Sequence, residues 1–222
     1  MKIYTSTTLR RDYLQKIKDY DLGVMIPSTT NSRILRNSII EIPEGTRCAL
    51  DNGAFMSYTK HGLFDEYAFL YALNQCLDRK ILLDFIVCPD ILCGGIRSLD
   101  FSLRWADRLQ CDKLALVVQD GMVPGDISSD ILKRFTHIFI GGSPEWKWAT
   151  AAVWVDLAHK NGLRLHIGQA GRLGFLRRAE ELGADSVDSA SFVRNNTFKI
   201  LKEFRDPQQM ELFDAQTDQY KL

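Results

Sequence analysis

A chain of 222 residues is long enough for one domain with a sizeable core. Lysine plus arginine and aspartate plus glutamate each number 28, for a formal net charge of zero. This excludes the strongest composition argument for non-specific nucleic-acid binding and leaves only a local basic patch. No apolar run approaches membrane-spanning length, and the start MKIYTSTTLRRDY has no apolar signal segment, so a soluble cytoplasmic protein is expected.

In chain order, short apolar runs occur at KIYT (2–5), LGVMI (22–26), CAL (48–50), FIVC (85–88), LALVV (114–118), HIFI (137–140), RLHI (164–167) and SV (186–187). Most recur at intervals of roughly 20 to 30 residues, with helix-like patterns between them. SPEWKWATAAVWVDLAHKNG opens with Ser143 as N-cap and Pro144 at the first helical position, and closes on Asn161-Gly162. In RLGFLRRAEELG, Leu173, Leu176, Ala179 and Leu182 recur at helical spacing, and Gly183 suits the C-terminal cap. Continuous apolar strands alternating with helices indicate a parallel sheet covered on both faces. Eight such units predict a compact (β/α)8 TIM-type barrel over residues 1–205. An open doubly wound sheet is the alternative.

The residues after each strand are more informative than the strands. CAL runs into Asp51-Asn52-Gly53, FIVC into Pro89-Asp90, and LALVV into Gln119-Asp120-Gly121. HIFI runs into Gly141-Gly142-Ser143, RLHI into Gly168-Gln169, and SV into Asp188-Ser189. In a parallel barrel these ends share one rim, where active sites are built. Singly, Asp51 reads as an Asx-turn, Asp90 as a helix N-cap and Gly141-Gly142 as a tight turn. Six coincident strand ends weaken that reading and place Asp188, in DSVDSASF, in a cleft rather than in solvent.

Other chemistries lack their motifs. The five cysteines, Cys48, Cys76, Cys88, Cys93 and Cys111, are odd in number and lie mostly in apolar runs, as reduced core residues do. Cys88 and Cys93 have the wrong spacing for a zinc knuckle, and no metal is expected. No Walker A loop or GxGxxG follows a strand, and no serine sits on a nucleophile elbow, so no cofactor is expected. What remains is carboxylate chemistry. One carboxylate attacks a carbon with oxocarbenium character while another moves a proton.

The ordered series LDNGAF, FIVCPD, LVVQDG, IFIGGS, HIGQAG and DSVDS resembles the tRNA-guanine transglycosylase superfamily. It is most similar to the small phage and bacterial members that act on DNA with 7-deazaguanine bases. The resemblance runs from Cys48 to Phe192 and implies a barrel that breaks a nucleobase N-glycosidic bond. It implies that Asp188 is the nucleophile on C1′ and that Asp51 transfers protons. It implies base-edge contacts at Asp90, Gln119, Gly141 and Gly142. The chain departs from the tRNA enzymes in lacking their zinc subdomain. It has Leu92, with Cys93 adjacent, where they carry a base-contacting cysteine, and it keeps only Arg194 and Lys199 of the basic segment after the nucleophile.

The expected function is therefore exchange of a DNA base for a 7-deazaguanine derivative. The alternative is a DNA glycosylase that excises a base hydrolytically, in repair or anti-phage defence. A silent DNA-binding partner of the replication clamp is a third reading, disfavoured by Asp51, Asp90 and Asp188. Arg172, Arg177 and Arg178 follow the seventh strand, where barrels often bind phosphate, and are candidate DNA contacts; a solvated helix face explains Arg177 and Arg178 equally well. Trp146 and Trp148 are a candidate stacking platform, although their helical spacing with Trp154 favours core packing for at least one. After Arg205 the chain turns polar, and residues 206–222 read as a tail. Within it QMELF, anchored by Gln209, Leu212 and Phe213, resembles the bacterial sliding-clamp-binding pentapeptide, with DNA and the clamp as expected partners; a terminal helix turn that packs Leu212 and Phe213 on the barrel is the alternative.

Overall fold

The computed structural model describes residues 1–28 and 32–206. Gln209, Leu212 and Phe213, and with them the expected clamp motif, lie outside the described residues. The chain runs β1 (Lys2–Ser6), α1 (Arg11–Asp19), β2 (Gly23–Ile26), α2 (Ser32–Ile40), β3 (Cys48–Leu50), α3 (Ala54–His61) and α4 (Glu66–Asp78). It continues through β4 (Leu83–Val87), α5 (Ile96–Leu109), β5 (Leu114–Val118), α6 (Ser129–Leu132), β6 (His137–Ile140) and α7 (Pro144–Lys160). It ends with β7 (Arg164–Ile167), α8 (Leu173–Glu181), β8 (Ser186–Ser189), α9 (Ser191–Arg194) and α10 (Lys199–Phe204). The strands pair in parallel in sequence order, and β8 pairs with β1 to close the barrel. The open doubly wound sheet is thereby excluded, and the fold is a compact (β/α)8 barrel.

The strand sequences are largely apolar because both faces are buried, with polar exceptions such as Asp84 on β4 and His166 on β7. Alternate residues point outward, under the helices. Val24, Ile26, Leu50, Ile86, Leu116, Ile138, Leu165 and Val187 pack there with Trp154, Ala158, Leu176 and Ala179. Each fully buried Leu or Ile side chain contributes about 1.5–3 kcal/mol. Leu116→Ala, at a completely buried strand position, is the kind of change that costs about 2–5 kcal/mol. The inward residues make a smaller second core of Tyr4, Met25, Ala49, Phe85, Val87, Ala115 and Val117, with Phe139 against it. Gly23 is small because a Cβ there would overlap the Tyr4 ring.

Helix α7 starts as its sequence predicts. The Ser143 hydroxyl accepts from the Trp146 N–H at 3.3 Å, and Pro144 occupies the first turn. It ends at Asn161-Gly162, with Gly162 at φ +71°. Helix α8 ends at Glu181, and Gly183 takes the left-handed conformation at φ +81° two residues later. Among the described residues no helix is long and apolar enough to cross a membrane.

Candidate active site

The mouth formed by the carboxyl ends of β3, β4 and β5 is held together by one amide pair. Asn52, buried after β3, accepts from the Ala54 N–H at 2.9 Å and so turns the chain into α3. Its Nδ2 donates to the Cys88 carbonyl at 2.8 Å and to Asp90 Oδ1 at 2.7 Å. Gln119, after β5, donates from Nε2 to Asp90 Oδ2 at 2.8 Å, to the Ile91 carbonyl at 2.7 Å and to Ser98 Oγ at 2.8 Å. Both Asp90 oxygens thus accept from amides, and the three strand ends are stitched side by side. Gln119 Oε1 is buried with no partner among the described residues. An acceptor left so costs about 1–3 kcal/mol and marks a place that a donor would satisfy.

The carboxyl groups differ in character. Burial pushes the Asp51 carboxyl up to about 7, and the negative charges of Asp188 and Asp90 push the same way. The N–H groups of Gly53 and Asn52 pull it down without prevailing. Asp90 is pushed up to about 6 by burial, against the hydrogen bonds from Asn52 and Gln119. Asp188, on β8, takes two hydrogen bonds on the same oxygen. Oδ1 accepts from His166 Nε2 at 3.1 Å and from the Gln169 N–H at 3.2 Å. Gln169 reaches it from a left-handed backbone at φ +61°, a strained conformation for a residue with a side chain. The Ala170 N–H donates to the Asp188 carbonyl at 2.8 Å, so the turn after β7 wraps the end of β8.

Lys147 pins that turn from outside. It is buried on the first turns of α7, and its Nζ donates to the Gly168 carbonyl. Burial lowers its pKa, while the charges of Asp188 and Asp120 oppose the shift. Asp120 anchors the neighbouring loop by accepting from the Ser143 N–H at 2.8 Å and from Ser143 Oγ. Burial pulls the Asp120 carboxyl upward, but these bonds and Lys147 outweigh it and leave it below its ordinary value. Gly142, at φ +75°, is the residue this anchor requires, because a Cβ there would overlap Asp120 Oδ2.

The structure therefore brings Asp51, Asp90, Gln119 and Asp188 to one mouth, with Gly141 and Gly142 on the turn beside it. The three arginines separate. Arg172 is exposed at the start of α8, with its guanidinium 5.7 Å from the Phe175 ring centre. Arg177 is buried at 7% exposure on α8, inside the helical layer. Arg178 donates to the Trp148 carbonyl at 2.7 Å and lies over its ring. Core packing, favoured by the helical spacing for at least one of the two tryptophans, holds for Trp148, which is buried and stacked on Phe175 at 4.8 Å. Trp146 is half-buried and packs on Trp154.

Sequence reasoning missed Asn52, Lys147 and His166. A polar side chain inside an apolar strand, His166 of RLHI, was the available signal; for Lys147, one lysine among aromatics on a helix, there was none. Among the described residues no group of three or more His, Cys, Asp or Glu could hold a metal ion. Compared with known proteins, the sequence matches no family model and no curated protein.

Proposed function

We propose that this chain breaks a nucleobase N-glycosidic bond in DNA and exchanges the base for a 7-deazaguanine derivative. The observation that supports it best is a pair of unlike carboxyl groups at one mouth. Asp188 is fixed through Oδ1, and Asp51 is pushed up to about 7 by burial and its acidic neighbours. An attacking carboxylate and a proton donor able to reverse its role at neutral pH need such a contrast.

In this reading Asp188 Oδ2 attacks C1′ as the bond from C1′ to the base nitrogen breaks. The bonding pair leaves with the base, which takes the proton of the neutral Asp51 carboxyl. A glycosyl ester on Asp188 results. The Asp51 carboxylate then removes a proton from the incoming base, whose nitrogen attacks C1′ and displaces Asp188. Asp51 returns to its protonated state, and the cycle balances. The target base must leave the stack to reach the mouth, where Asp90, Gln119 and the Gly141-Gly142 turn meet its edge. Arg172, exposed at the start of α8, is the phosphate contact this reading retains. DNA as the substrate, and the sliding clamp as partner of QMELF, rest on sequence resemblance.

The test is incubation with modified and unmodified DNA, followed by mass spectrometry of the released bases and of the DNA. Release of a base with incorporation of the 7-deazaguanine derivative is the expected result. Release that leaves abasic sites would replace exchange by hydrolytic excision through the same intermediate. No release from any DNA would overturn the proposal.

A further inference from the structure

We infer that His166 is the positioning residue of Asp188: it fixes the rotamer of the carboxylate from inside the barrel and so selects which oxygen meets C1′. The inference rests on the reading of Asp188 as nucleophile. His166 is fully buried, and both ring nitrogens are used. Nε2 lies 3.1 Å from Asp188 Oδ1 and Nδ1 lies 2.8 Å from Ser186 Oγ. An ionised carboxylate only accepts, so Nε2 carries the hydrogen and Nδ1 accepts from the Ser186 hydroxyl. The Ser186 hydroxyl, which can donate, satisfies the Nδ1 lone pair of the tautomer that aims a donor at Asp188.

The ring itself has little freedom. Phe139 stacks on it at 4.8 Å with an 18° interplanar angle, and Phe85 and Tyr4 flank it at 5.2 and 5.9 Å. Strand register supplies the rest: His166 pairs with Ser186, and Asp188 is the next inward residue of β8. Filling the barrel would need only an apolar side chain, with no polar group to desolvate.

The same barrel supplies an internal control. His137 is also buried, but its Nδ1 bonds to Thr136, its own neighbour, at 2.9 Å. Burial and the nearby His166 and Arg164 push it down to about 4. Among the described residues it has no hydrogen bond to a mouth carboxyl.

The experiment compares His166→Phe, His166→Gln, Ser186→Ala and His137→Phe by kcat, KM and Tm. His166→Phe keeps the ring stack and removes the donor. We expect its kcat to fall about 100-fold, the scale of a misplaced reacting group, with KM within about threefold of the native value. His166→Gln, which restores an N–H donor, should recover at least tenfold of that loss, and His137→Phe should leave kcat within threefold. Ser186→Ala should lower kcat by about tenfold without unfolding the protein, and it carries the test if His166→Phe does not fold. A folded His166→Phe, or failing that a folded Ser186→Ala, with kcat within threefold of native would overturn the inference.

A second readout needs no turnover, so a failure of base cleavage and a failure of this inference are distinguishable. In histidine nitrogen NMR, His166 should show a protonated Nε2 and an unprotonated Nδ1. Both signals should move in Asp188→Ala. Ring signals indifferent to Asp188→Ala would overturn the inference.

Discussion

Two carboxylates of nearly equal exposure mark the two ends of this barrel. The side chain of Asp84, near the amino end, is 18% exposed, and that of Asp188, at the mouth, 17%. Their company differs. Asp84 accepts from the Tyr4 hydroxyl at 2.5 Å and from the Arg47 guanidinium at 3.1–3.2 Å. Its charge is met by a cation, and the Tyr4 hydroxyl, raised by burial and by Asp84, keeps its proton. Asp188 has no salt-bridged guanidinium but an imidazole and a backbone N–H on one oxygen, with the Asp51 carboxyl close by and the buried Lys147 ammonium near enough to feel its charge. A partly buried acid in a barrel is therefore a strut when a cation closes its valences. In the proposed reaction Asp188, beside the Asp51 carboxyl, is instead the reagent.

Removing each partner should break the molecule in different ways. The largest effect is expected for Asp188→Asn, which should abolish base release and exchange in a protein that still folds, as checked by turnover and circular dichroism. Asp51→Asn should follow, with turnover lowered by about 100-fold or more. In the native protein kcat/KM for base release should fall as pH rises through about 7, where Asp51 loses its proton. That limb should vanish in Asp51→Asn.

The same residue predicts a stability trend. Its folded value of about 7 lies above the ordinary 3.8, so the folded state keeps a proton that the unfolded chain releases. Its contribution to stability is complete below pH 3.8 and is lost as pH rises towards 7. Asp51→Asn should therefore raise Tm at pH 8 and change it little at pH 3.5, which scanning calorimetry would show.

Smaller effects separate recognition from support. Asp90→Ala and Gln119→Ala should alter which base is accepted more than they alter Tm. One unpaired buried group costs about 1–3 kcal/mol, enough for selectivity. Equal losses on every base, with a large drop in Tm, would make the pair structural. The smallest change is expected at the amino end. Tyr4→Phe removes one bond to Asp84 and should cost about 1–2 kcal/mol, or a few degrees in Tm at this length, with turnover within threefold of native. If Tyr4→Phe instead lowers turnover as Asp51→Asn does, the two ends of the barrel are not separate in function.

The contrast between the ends also explains what could be read from the sequence. Strand-and-helix alternation gave the barrel, because burial on both faces leaves a largely apolar run that needs no knowledge of partners. Asp51, Asp90, Gln119 and Asp188 were legible because a parallel barrel sends every strand end to one rim. Arg177 was not, and the spacing left open which of Trp146 and Trp148 joins the core. Whether a residue on a helix faces solvent, the rim or the neighbouring helix depends on how α7 and α8 pack, which local spacing leaves open. Asn52 was passed over because its Oδ1 only turns the chain after β3, while the bond from its Nδ2 to Asp90 crosses between strands. His166 was hidden for a related reason. Its significance comes from the register of β7 on β8, a long-range pairing that RLHI does not encode by itself.

In the proposed reaction Asp188 forms a bond to C1′. The most direct measurement is a denaturing quench of the protein with its DNA during turnover, followed by peptide mass spectrometry of any protein–DNA adduct. An adduct is expected on the peptide containing Asp188, and it should disappear in Asp188→Asn. An adduct on another residue, or native rates of base release in folded Asp188→Asn, would contradict it.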